Sequence, residues 1–196
     1  MAEPRPRPAT YADIEALPSN VVGEIAFVAL HTHPRPAPRH GRATHRIQAI
    51  LGGPFDLGIA GPGGCVFIDE PELHLGEHVI VPDIAGWRSE NLAALPDTAY
   101  FETPPDWACE LLSPSTQRFD RKDKLAIYAA FEVGHCWCVD SIARTLEVFA
   151  RQGEKWLIAA TYKDDDAVCA PPFEAHTFGL DVLWSLGGTN SPEQST

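Results

Sequence analysis

Short apolar runs punctuated by Gly, Pro and Asp dominate the chain, and helical spacing interrupts them at three places. TYADIEALP (10–18) predicts a short helix, with Thr10 as its cap, Asp13 and Glu15 in its first turn and Pro18 as its stop. NVVGEIAFVAL (20–30) is rich in Val, Ile and Phe and predicts a strand. The Pro-rich loop HPRPAPRHG (33–41) leads into a helix from about Arg42 to Leu51. After the turn-laden GGPFDLGIAGPGG, CVFID (65–69) and HVIVPDIAGW (78–87) read as strands, and Arg88 to Pro105 as a polar connection. DWACELL (106–112) is apolar on both sides of Glu110, which predicts a central strand covered on both faces. Ser113-Pro114-Ser115 ends that strand. A helix starting at Asp120 follows, carrying Leu125, Tyr128, Ala129 and Glu132 and stopping near Gly134. HCWCVD (135–140), TLEVFA, EKWLIAATY and FEAHTFGLDVLW then continue a mainly antiparallel edge. Strands, one crossover helix and more strands imply a mixed α/β or α+β sheet. Residues 1–9 and 187–196 read as a disordered segment and a flexible tail, leaving one domain over 10–186.

Composition narrows this little. A chain of 196 residues with 44% hydrophobic and 21% charged residues builds one real core. No run approaches about 18 apolar residues, so no membrane span is expected. MAEPRPRPAT lacks the apolar stretch of a signal peptide, which points to a cytoplasmic protein. The five cysteines, odd in number and mostly set in apolar segments, read as reduced core residues. Charge changes the picture more. A net −12, from 27 acidic against 15 basic residues, weighs against a nucleic-acid partner. Yet Arg35, Arg39, Arg42 and Arg46, with His33, His40 and His45 in or beside them, form a basic stretch without a carboxylate. Local fields decide whether DNA is tolerated.

The chemistry concentrates on three successive elements. Asp83 follows Pro82 in an apolar strand, Glu110 is enclosed by Cys109 and Leu111, and Lys124 lies on the next helix. A buried glutamate is costly unless paired or metal-bound. Two carboxylates beside an ammonium suit a hard cation such as Mg²⁺, which polarises a phosphate and lowers the pKa of a bound water. Competing readings are a loop-capping Asp83, a structural ion pair at Glu110, and Asp120 as a helix cap with Lys124 as its surface partner. Lys122 competes with Lys124 for the lysine role. Cys136 and Cys138 share a strand face, but no second ligand pair at zinc spacing follows. Asp164, Asp165 and Asp166 read as a solvated turn.

Taken together, these motifs resemble the Uma-two family of restriction-endonuclease-like proteins, within the PD-(D/E)XK nuclease superfamily. The resemblance rests on Pro82 and Asp83; on Pro105, Asp106, Glu110, Ser113, Pro114 and Ser115; on Asp120, Lys124 and Tyr128; and on Trp137, Val139 and Asp140. It covers about residues 10 to 186. It implies a restriction-endonuclease-like mixed central sheet flanked by helices, with additional antiparallel strands. It also implies a Mg²⁺- or Mn²⁺-dependent DNA endonuclease. Asp83 and Glu110 would be metal ligands and Lys124 the catalytic lysine, with Glu24, His40, Asp120 and Lys122 as possible supporting residues. Arg35, Arg39, Arg42 and Arg46 would hold DNA phosphates. One departure stands out: the superfamily's Glu-x-Lys would place lysine at position 112, where this chain has Leu112. The alternative is a catalytically weak binding or regulatory module that keeps the nuclease fold, with its antiparallel edge as the surface for a homodimer.

Overall fold

A computed structural model describes residues 7–34 and 36–186. Arg35 and most of both expected disordered ends therefore lie outside the described residues. Within the N-terminal segment, the Ala9 N–H donates to the Val28 carbonyl at 2.8 Å. Helix α1 (Tyr11–Glu15) is held as expected, the Asp13 carboxylate accepting from the N–H and hydroxyl of Thr10.

The predicted strand at 20–30 is a hairpin. Strands β1 (Val21–Ala26) and β2 (Ala29–Pro34) pair antiparallel in full register from Val21↔Pro34 to Ala26↔Ala29. The two residues between them, Phe27 and Val28, take φ of 48° and 62°. That left-handed turn matches the twist of a hairpin, but Gly or Asn normally fills it. No turn residue marks the reversal, which is why the sequence reads as one strand.

Helix α2 (Pro38–Leu51) starts four residues before the expected Arg42, because Pro38 has the preset φ of a first helical residue. It runs into a π turn, Gly52–Asp56, which buries Pro54 and Phe55. Strand β3 (Cys65–Asp69) follows, and then β4 (Glu72–Leu75), whose alternating Glu-Leu-His-Leu buries Leu73 and Leu75 on one face. Strand β4 hairpins onto β5 (His78–Ile80).

The expected strand 78–87 is divided between two sheets. β5 joins a five-stranded sheet ordered β2-β1-β5-β4-β7, where β7 is Tyr100–Phe101. β6 (Ile84–Arg88) joins a six-stranded sheet ordered β11-β10-β9-β8-β6-β3. Val81, Pro82 and Asp83 make the crossing, and Pro82 has no N–H with which to continue a ladder.

In the larger sheet, β8 (Trp107–Leu111) lies between β6 and β9 (His135–Asp140) and is buried along its whole length. β8 and β9 are parallel, joined by the expected crossover. That crossover starts earlier than Asp120. α3 (Gln117–Phe119) passes into a π turn, Asp120–Lys124, and then into α4 (Leu125–Ala130). Asp120 is therefore inside the helical run and buried, not its cap.

β10 (Thr145–Gln152) and β11 (Lys155–Lys163) extend the sheet antiparallel as expected. FEAHTFGLDVLW does not. It supplies only β13 (Phe178–Gly179), paired with β12 (Ala167–Val168), and a 3₁₀ turn, Leu180–Leu183, which packs on the core.

The larger sheet has an apolar cluster on each face. Trp107, Cys109 and Leu111 of β8 meet Ala43, Ile47 and Leu51 of α2. Ala108 and Leu112 face the other way, onto Leu125, Ile127 and Tyr128 of the crossover and onto Ala26, Leu73 and Ile80 of the smaller sheet. The Phe27-Val28 turn yields the first test. A β-branched residue in the left-handed region costs about 1–2 kcal/mol, part of which glycine's chain entropy returns. Val28→Gly should raise stability by about 1 kcal/mol and the midpoint by about 2–4 °C, as measured by thermal unfolding. An unchanged or lower midpoint would show that the turn carries no such strain.

Candidate active site

Period-2 alternation along β8 decides where Glu110 points. Trp107, Cys109 and Leu111 serve the α2 face, so Ala108, Glu110 and Leu112 serve the face covered by the crossover helix. Glu110 is 1% exposed. The Tyr128 hydroxyl donates to its Oε1, and Lys124 Nζ donates to its Oε2 at 3.1 Å. Leu112 stands on this same face, 4% exposed among apolar residues. A lysine is thus supplied to Glu110 from the covering helix instead of from position 112.

Asp83 enters from the neighbouring strand. Ile84 pairs with Cys109, so Asp83, one residue beyond the last antiparallel pair, comes opposite Glu110. Its Oδ2 accepts the Leu111 N–H at 2.6 Å, and its Oδ1 is hydrogen-bonded to His40 Nε2. His40 lies in the first turn of α2, not in the loop expected from the prolines.

Lys124 joins the two sheets. Its Nζ donates to the Val81 carbonyl at 2.8 Å and lies 3.0 Å from Glu24 Oε1 and 3.6 Å from Asp120 Oδ1. Glu24, on β1, also accepts the Val81 N–H at 2.7 Å and is paired with His33 Nε2 at 2.9 Å. Four carboxyls, those of Glu24, Asp83, Glu110 and Asp120, act on one buried ammonium.

Burial alone would strip the Lys124 proton, but Glu110, Glu24 and Asp120 outweigh it and hold its pKa well above the ordinary lysine value. Burial would likewise raise Glu24. The Lys124 charge and the hydrogen bonds from His33 and Val81 leave it lowered instead. Glu110 goes the other way: burial, reinforced by Asp120, Asp83 and Glu24, lifts its carboxyl well above the usual range despite Lys124. Burial also raises Asp120. Lysine therefore keeps its proton, and Glu110 is the carboxyl that gives one up with difficulty.

Asp83, Glu110, Lys124, Asp120, His33 and His40 all line one cavity of about 730 Å³. Lys122 does not. It is exposed, and its ion-pair neighbour is Asp123 at 4.0 Å. Arg39 is exposed at the cavity rim, and Arg42 donates to the Ser185 carbonyl. Arg46 is half-buried further along α2. The contacts of Tyr128 with Glu110 and of His33 with Glu24 were not foreseen. The four-residue spacing of Lys124 and Tyr128 was the available signal for the first.

Among the described residues, no group of three or more His, Cys, Asp or Glu side chains is placed to hold a metal ion. Those residues also contain no helix long and apolar enough to cross a membrane. With this geometry in place, residues 29–182 match the model of the Uma2 family, described as "Putative restriction endonuclease". The chain belongs to the Uma2 family. In this Uma2 chain the match takes in Asp83, Glu110 and Lys124, while Glu24 lies just before it. A crystal structure from Anabaena variabilis ATCC 29413, described as a "putative nuclease belonging to DUF820", is similar in fold. Its TM-score is 0.73 at 19% identity, over 90% of this chain and 98% of that one. No curated protein matches the chain.

The ammonium's role in stability can be measured directly. Lys124→Met should cost about 3–5 kcal/mol at neutral pH, because it leaves buried carboxyls without their cation. Without Lys124, the folded-state pKa values of Glu110 and Asp120 rise further above their unfolded values, and Glu24 loses the charge that holds it low. The folded state then binds protons more tightly, and the deficit should shrink as pH falls. Urea unfolding at mildly alkaline and mildly acid pH tests this, and a deficit independent of pH would refute it.

Proposed function

We propose that this Uma2 protein is a divalent-metal-dependent endonuclease that hydrolyses phosphodiester bonds in DNA. Asp83 and Glu110 would hold Mg²⁺ or Mn²⁺. The observation that supports this most is the opposition of these two acids on one sheet face, both opening onto the same cavity, with Lys124 on Glu110. The donor set suits the ion. Magnesium keeps several waters and takes one or two carboxylates plus substrate phosphate, so two opposed carboxylates suffice without an all-protein cage. When bound, the ion would polarise the scissile phosphate and lower the pKa of its water.

The chain's own groups do the rest. Asp83 is oriented from two sides, by the Leu111 N–H and by His40. Glu110 must be ionised to serve, and its raised pKa makes that the pH-limiting event. Lys124 spends its donors on Val81, Glu24 and Glu110. It thus contributes a fixed positive charge and an anchored Glu110, not a mobile proton. Arg39, exposed and lining the same cavity, would meet backbone phosphate.

Nicking of supercoiled plasmid with Mg²⁺ or Mn²⁺ tests the proposal. Asp83→Ala and Glu110→Ala should each lower the rate by at least ~100-fold, while Lys122→Ala should leave it intact. Cleavage that persists in the Glu110→Ala protein would overturn the assignment. So would its absence from the wild-type protein under every metal and salt condition.

The same site sets a pH profile. Because the folded-state pKa of Glu110 is raised, the fraction of ionised enzyme, and with it the nicking rate, should climb as pH increases above the ordinary carboxylate range. Metal binding followed by calorimetry should likewise release protons, more of them at the acid end of that range. A flat rate profile with no proton release would remove Glu110 from the metal site.

A further inference from the structure

The first turn of α2 and the connection from β9 to β10 border a second cavity, of about 450 Å³. Arg39, Arg42, Arg144 and Trp184 line it, with no carboxylate among its lining residues. It adjoins the acidic cavity, since Arg39, Ser141 and Ile142 line both. Three guanidiniums gathered in one concavity repel one another unless anions compensate. Among the described residues none of the three forms an ion pair with a carboxylate, although other arginines of the chain do. Arg42 donates to the Ser185 carbonyl at 3.3 Å, and its buried Nε has no partner. In a chain of net charge −12, this is a local reversal of sign beside the acidic site.

Trp184 adds a second chemistry. Its indole N–H donates to the Asp164 carbonyl at 3.1 Å, which anchors the ring at the cavity wall. Guanidiniums in a fork geometry suit phosphate oxygens, and an indole face suits a nucleobase. The volume is that of a small-ligand pocket. In a duplex the bases face inward, so a base reaches this wall only from an unpaired strand.

We infer that the cavity lined by Arg39, Arg42, Arg144 and Trp184 is a subsite for one unpaired nucleotide of the strand that crosses the acidic cavity. The arginines take its backbone phosphate and Trp184 stacks its base. The assignment rests on the nuclease reading only for the direction in which the strand continues.

The test is binding without cleavage. The full chain is titrated in EDTA against a short labelled single-stranded oligonucleotide and against the same sequence as a blunt duplex, with fluorescence anisotropy as readout over a range of salt. Single strand should bind more tightly than duplex. Arg144→Gln should reduce the slope of log affinity against log salt by about 0.7, the value for one lost phosphate contact on a single strand. Trp184→Leu should weaken single-strand binding by roughly 5- to 150-fold with the slope unchanged, and Trp184→Phe should recover much of it. Arg144 is exposed, so its variant keeps the test valid if the Trp184 variant is unstable. Equal affinity for single strand and duplex, or wild-type binding by Arg144→Gln, would overturn the subsite. Displacement of the oligonucleotide by an equimolar nucleoside monophosphate would overturn its assignment to a strand. Arg144-dependent binding in a protein that never nicks plasmid would uphold the subsite and sink the nuclease reading. Nicking without Arg144-dependent binding would do the reverse.

Discussion

A single buried ammonium holds this architecture at its centre. Lys124 Nζ bonds to the chain at the point where it leaves one sheet for the other, through the Val81 carbonyl, and to a glutamate of each sheet. Its charge is what permits Glu24, Glu110 and Asp120 to be buried together. Remove it, and the same carboxyls are left in a low-dielectric interior with too few compensating groups. Stability and the proposed chemistry therefore draw on one cluster.

The position of that lysine follows from sheet geometry. Residues 110 and 112 of the central strand share a face, and the helix covering that face supplies Lys124 and Tyr128 one turn apart. Leu112 fills apolar space against Leu125 and Ile127. A lysine there would compete with this packing, whereas one from the helix reaches the same carboxylate from above. The π turn at Asp120–Lys124 widens the helix where Asp120 and Lys124 must both turn inward.

Acids set in apolar strands announce themselves, because burying them is costly without a purpose. For that reason Asp83 and Glu110 stood out in the sequence, as did β8 and the parallel crossover to β9. What could not be seen has physical causes. The hairpin at Phe27-Val28 lacks Gly, Asn or Pro, and local propensity cannot report a strained turn imposed by sheet packing. Pro82 marks a local distortion within the apolar run 78–87, but nothing in the two halves tells which sheet each joins. Asp120 has the sequence context of a cap, and a π turn carries no residue signature that would correct it. Glu24 was reached only through resemblance, since one acid in a Val- and Ile-rich strand does not reveal its partner. Arg144 and Trp184 lie far from Arg39 in the chain, and only the fold brings them to one cavity.

The three-residue crossing from β5 to β6 has a consequence for how such a chain can vary. Val81 is tied to the smaller sheet through Glu24, and Asp83 is fixed on the larger sheet by the Leu111 N–H. Between them there is no slack, and Pro82 restricts what little torsion remains. Inserting or deleting one residue here would shift the alternation and turn the carboxylate to the opposite face of the sheet. The length of this connector is thus under tighter constraint than its composition. A surface connection such as residues 93–99, exposed throughout, can lengthen without moving an acid of the cluster.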